Sequence, residues 1–177
     1  MAPGFTPPRL LRHADVQAAL ANSGWRRKLV LGEADSLLAA TEDVVIECND
    51  GVRLTAQHTP PRVPNGRVAI LLHGWEGSSR SLHVVSGADR LWREGFRIVR
   101  INMRDHGESQ HLNRGIFHSC RLDEMVDAVR WVRDRFTGEP LYLGGYSLGG
   151  NFALRIASAE GPALGLARVV AICPVLD

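Results

Sequence analysis

Lysine is almost missing from this sequence: among 21 basic residues only Lys28 is a lysine, and the others are arginine. They are scattered, with Arg26-Arg27-Lys28 the densest run, and the formal net charge is only +2. No basic stripe of the kind that tracks a phosphate backbone is present, so no nucleic-acid partner is expected. Cysteine is scarce and odd in number. Cys48, Cys120 and Cys173 lie far apart and outside any C-x-x-C pair, which argues against a disulfide framework and for a reducing compartment. They read as small core or near-core residues. No apolar run approaches the length that crosses a bilayer. The stretch Met1 to Pro8 lacks the charged and apolar regions of a secretory signal. A cytoplasmic protein without a transmembrane segment is therefore expected.

With 177 residues, 45% of them hydrophobic, the chain can bury the core of one domain and is not expected to be disordered. Residues 1–41 read as an N-terminal arm, proline-rich at first. A short helix is expected from Asp15 to Asn22, ending near Gly24, and a weaker helical patch from Ala34 to Ala40. Trp25 either pins the arm to the core or lines a cleft. From Glu42 the pattern changes. Asp43 to Cys48 and Val52 to His58 alternate as strands around the hairpin signal Asn49-Asp50-Gly51. Val68 to Leu72 is a continuous apolar run, as in a parallel strand covered on both faces. Helices then follow at Ser81 to Arg93 and Leu122 to Phe136, strands at Phe96 to Ile101, Leu141 to Gly144 and Arg168 to Cys173. A hairpin followed by alternating strands and helices predicts an α/β domain over 42–177, with a mostly parallel sheet and an antiparallel N-terminal hairpin.

Gly145-Tyr146-Ser147-Leu148-Gly149 sits between one of these strands and the helical pattern from Asn151 to Ala157. A strand that becomes a helix within two residues needs a sharp bend, and small flanking residues allow the two to approach. Such a turn lifts a serine hydroxyl above the sheet, which reads as a nucleophile at Ser147. His73-Gly74-Trp75-Glu76-Gly77-Ser78-Ser79 follows the Val68–Leu72 strand, so it shares the carboxyl rim of the sheet with Ser147. Acyl transfer needs fixed donors aimed at the developing oxyanion. The backbone N–H groups of Trp75 and Leu148 are placed to serve, whereas the His73 side chain reads as structural.

A third rim loop, Asn102 to Ser109, holds Asp105 and His106. Neighbours in one loop rarely reach the collinear arrangement of a catalytic acid and base. Hydrogen bonds from Arg104 and Asp105 tying the loop together are the expectation. His106, His111 and His118 match no zinc-ligand spacing, so neither a metal nor any other cofactor is expected.

Together, H-G-x-x-G-S, N-x-R-x-x-G-x-S and G-Y-S-L-G-G-N in this order resemble the α/β-hydrolase superfamily, nearest to its YheT-like branch of esterases. The resemblance covers residues 40 to 177, and Ala171 to Asp177 resembles the strand that follows the elbow helix. It implies an α/β-hydrolase fold, Ser147 as nucleophile, an oxyanion hole from the Trp75 and Leu148 N–H groups, and a small ester or acyl substrate. Asp105-His106 departs from the small residues usual there. A larger departure concerns the triad order of serine, acid, histidine. No histidine follows Ser147, and the one aspartate after it is Asp177. The expectation is the N-terminal part of a carboxylic ester hydrolase, stopping after the sixth strand, with acid and base beyond it and negligible activity alone. The alternative is a non-catalytic binding module on the same sheet. In either case the last strand would be an apolar edge prone to self-association.

Overall fold

The apolar run Val68–Leu72 forms β3, and every one of its residues is buried. Its side chains alternate between two cores: Val68, Ile70 and Leu72 point to one face, Ala69 and Leu71 to the other. That is why the run is continuous rather than alternating. The computed structural model describes residues 6, 8–21 and 23–176. The helix end expected at Asn22 and the terminal Asp177 lie outside these residues.

Around β3 the strands β1 (Glu42–Glu47), β2 (Arg53–Thr59), β4 (Arg97–Ile101), β5 (Leu141–Tyr146) and β6 (Leu166–Ile172) form one six-stranded sheet, ordered β1-β2-β4-β3-β5-β6. β1 and β2 pair antiparallel, as do β2 and β4, while β4, β3, β5 and β6 run parallel. The hairpin turns at Asn49–Gly51, where Asp50 and Gly51 take φ of 57° and 73°, the left-handed values that an Asp-Gly pair accepts at low cost. Helix α4 (Leu82–Arg93) packs Val84, Val85, Ala88 and Trp92 on one face of the sheet. Helices α5 (Leu122–Arg135) and α6 (Leu148–Glu160) cover the other with Met125, Val129, Phe152 and Ile156. The predicted α/β architecture is thus observed.

Three expectations are corrected. Gly24 does not close a helix. It opens one: α1 (Ala14–Ala21) ends earlier, and α2 (Gly24–Glu33) begins with Ser23 as its cap, whose Oγ accepts from the Arg26 N–H at 3.2 Å. A serine before the glycine was the available signal. Trp25 is 71% exposed and so does not pin the arm to the core. Cys120 and Cys173 are exposed rather than core residues, Cys173 because the chain turns out of β6 there with φ of 46°. Cys48 is half-buried as expected, its thiol donating to the Glu124 carbonyl at 3.4 Å and pushed up to about 12 chiefly by burial. A last short helix, α3 (Asp35–Ala39), buries Leu37 against the α4 face of the sheet. Among the described residues no helix is long and apolar enough to cross a membrane.

Candidate active site

Ser147 lies at the junction of β5 and α6 with φ 51° and ψ −114°. A side chain with a Cβ is strained there, and such strain persists only where the surroundings hold it. They do so through close backbone approach. A Cβ on Gly145 would overlap the Gly149 carbonyl, and one on Gly149 would overlap the carbonyls of Leu72 and His73. The Ser147 N–H donates to the Ile172 carbonyl at 2.9 Å, anchoring the bend to β6, and its own carbonyl accepts from the Asn151 N–H at 3.0 Å. Leu148 opens α6, so its N–H has no partner within the helix and sits at the positive end of the helix dipole.

The loop after β3 meets this bend directly. A Cβ on Gly74 would stand 3.3 Å from the Ser147 Cβ, which brings the backbone leading into Trp75 against the serine. Within the loop the Gly77 N–H donates to the Gly74 carbonyl at 3.0 Å. His73 pins the loop to its neighbour. Its ring is fully buried, donates from Nδ1 to the Gly74 carbonyl at 2.7 Å and accepts at Nε2 from the Met103 N–H at 3.1 Å. Burial pushes its pKa down to about 4, against the smaller opposing effect of the Gly74 hydrogen bond. His73 is therefore a neutral strut with both nitrogens occupied, in line with its structural reading.

His106 and Asp105 do not assemble a catalytic pair. Asp105 Oδ2 accepts from the Phe117 N–H at 2.7 Å, and His106 Nδ1 donates to the Arg104 carbonyl at 2.7 Å. No histidine ring is hydrogen-bonded to Ser147 among the described residues. Nor do these residues contain a group of three or more His, Cys, Asp or Glu able to hold a metal. Asp105 and Arg104 tie the loop as expected, but the firmest tie was missed. The Arg104 guanidinium donates to Glu124 Oε2 from Nη2 at 2.8 Å and from Nε at 3.0 Å, with both side chains buried. Asn102 was missed too. Its Oδ1 accepts from the Ser79 N–H at 2.7 Å and its Nδ2 donates to Thr55 Oγ1 at 2.9 Å, fastening the end of the His73–Ser79 loop. Phe117 fills the space above, its ring 5.9 Å from Trp75, 5.0 Å from His106 and 6.3 Å from Phe152. None of these long-range partners leaves a local sequence signal.

A strained serine between a parallel strand and a helix, with a glycine loop from the adjacent strand against it, defines a class. Residues 68–177 match the alpha/beta hydrolase fold family, and the chain belongs to that family. It is 29% identical over 119 residues to the protein named "Putative esterase YheT" of Escherichia coli (strain K12), an alignment covering 66% of this chain and 35% of that protein. It is 31% identical over 100 residues to "AB hydrolase superfamily protein YisY" of Bacillus subtilis (strain 168), covering 56% and 35%. In shape it matches the esterase Pf2001 of Pyrococcus furiosus with a TM-score of 0.67 at 22% identity, over 79% of this chain and 53% of that one. The chain thus spans about a third of the length of the curated relatives it matches.

Proposed function

We propose that this chain carries the nucleophile and oxyanion hole of a carboxylic ester hydrolase, with Ser147 as the nucleophile. The strained backbone of Ser147 is the observation that carries the reading, because a turn serving only to connect strand and helix gains nothing from holding a non-glycine residue there. Ser147 Oγ attacks the ester carbonyl carbon while a general base takes its proton. The oxyanion that forms is held by the N–H groups of Trp75 and Leu148, and the dipole of α6 favours the negative charge. Collapse of the tetrahedral intermediate releases the alcohol, which takes the proton back from the base, and leaves an acyl group on Ser147. Water activated by the same base then frees the acid.

The base and its acid partner are expected outside the described residues, since no histidine ring among these is hydrogen-bonded to Ser147 and in this fold acid and base follow the nucleophile in chain order. A small ester fits the family better than a polymer substrate, and the names of YheT and Pf2001 support an ester over other acyl compounds. The test is turnover of short p-nitrophenyl esters by a protein extending beyond Asp177, with and without Ser147→Ala. Loss of at least about a thousandfold in kcat is expected. Undiminished turnover would overturn the assignment.

A further inference from the structure

Charge is unevenly spread along this chain. The stretch from Arg9 to Glu33 carries five of the 21 basic residues and two of the 19 acidic ones. Its net charge is +3, against −1 for the remainder. Arg26, Arg27 and Lys28 form no ion pair among the described residues. Arg27 and Lys28 are exposed, and Lys28 is the single lysine of the sequence.

The apolar side chains of the same stretch are left outside as well. Helix α1 buries none of its eight residues, and α2 buries one of its ten, Val30. Helices this short are marginal in water and are held chiefly by an apolar face packed on something else. One side of α2 is packed: Val30 is buried, and Leu31 and Ala34 join the core on the α4 face of the sheet. The opposite side carries Trp25, Lys28, Leu29 and Gly32, the i, i+3, i+4, i+7 spacing of a single helix face. There the Trp25 and Leu29 side chains stand in solvent. On α1, Val16 and Leu20 lie one turn apart and are exposed too. Helix α2 sits over the β1–β2 side of the sheet, where its Arg27 and Leu31 border Asp43 and Gln57, so this face is remote from the β6 edge.

An exposed tryptophan and leucine around a lysine, in a stretch of net positive charge, suit a surface that is apolar below and negative above. A second copy of the chain does not fit, because a self-paired contact would set one +3 segment against another.

We propose that α1 and α2 dock this chain on the surface of an anionic phospholipid bilayer. Trp25 and Leu29 enter the boundary between headgroups and acyl chains, where an indole ring is well placed. Lys28 lies along them with its stem and reaches the lipid phosphates with its ammonium group. The arginines of the stretch add to the attraction within a Debye length of the surface. Val16 and Leu20 of α1 gain the apolar surroundings that the protein body does not give them. The proposal does not depend on the chemistry of Ser147.

Vesicle flotation of the 177-residue chain tests it, because aggregated protein does not float. The chain is expected to rise with phosphatidylcholine vesicles containing about 30% phosphatidylglycerol, and at least about tenfold less with pure phosphatidylcholine. Raising the salt from about 0.1 M to about 1 M should release most of it. Trp25→Ala/Leu29→Ala should weaken binding by more than about tenfold, and Lys28→Gln by about fivefold. These side chains are exposed, so the variants should keep the urea midpoint of the parent chain. Ile116→Ala removes an exposed apolar residue elsewhere and should leave flotation unchanged. No flotation with the anionic vesicles, equal flotation with neutral ones, or unchanged flotation of the double variant would overturn the proposal. Retention on polyglutamate without flotation would assign the face to an acidic protein and overturn it equally.

Discussion

At Ser147 the backbone is held at φ 51°, a conformation that costs a residue with a Cβ on the order of 1–3 kcal/mol. Ser147→Gly removes that cost, offset in part by the extra freedom of glycine in the unfolded chain. The variant should be more stable by about 1 kcal/mol in urea denaturation, and a destabilised variant would show that the elbow is not strained. His73 supplies a pH dependence. Its folded pKa of about 4 lies below the ordinary 6.5, so between those values the unfolded chain binds a proton that the folded chain refuses. Stability is fully present above about pH 6.5 and falls as pH drops through this window, by on the order of 3 kcal/mol from His73 alone. His58 and His83, both lowered mainly by burial, act in the same sense. His73→Gln should flatten the urea midpoint between pH 7 and 5, and an unchanged slope would contradict the assignment. At this scale the bend at Ser147 was legible, because the strand, glycines and helix that form it adjoin the serine in the chain. Asn102 and Arg104 were not, since Asn102 bonds Ser79 and Thr55, 23 and 47 residues away, and Arg104 bonds Glu124, 20 residues away.

Elements show the same division. The strands and the helices α4, α5 and α6 were legible from period and punctuation, and β3 was located to the residue because its apolar run has sharp ends. Helix α2 was missed, because Gly24 looks the same as a stop and as a first residue, and the one local cue that separates the two is the capping Ser23 before it. The loop between β4 and α5 is the least legible segment. It has no period, and what orders it is the buried Arg104–Glu124 pair reaching from the end of β4 to the first turn of α5. Glu124→Gln would leave a buried guanidinium without its counter-charge, at a cost of about 3–5 kcal/mol. The loss should appear as a lowered urea midpoint with unchanged m-value, and a cost below about 1 kcal/mol would show the pair to be ornamental.

Over the whole molecule, the strand order places β6 at one edge of the sheet. Val170 is 56% exposed and Ile172 42% exposed on this strand, beside an apolar groove of about 240 Å³ that reaches Tyr142 and Tyr146 on β5. An apolar edge with free backbone groups invites pairing. The 177-residue chain should therefore self-associate at micromolar concentration in sedimentation velocity, and Val170→Lys should shift it toward monomer. A monodisperse monomer of the unmodified chain would contradict this. The fold class was legible at this scale because strand and helix alternate without interruption, and the three rim motifs carried the family. The position of the edge follows from how strands pair, which no local pattern encodes.

The central claim is that Ser147 is a nucleophile whose base lies outside these residues. Fluorophosphonate labelling with peptide mapping tests it most directly, on the 177-residue chain and on a protein that extends beyond Asp177. The account predicts one labelled site, Ser147, in the longer protein and negligible labelling of the chain alone. Labelling at another residue, or equal labelling of Ser147 in both, would contradict it.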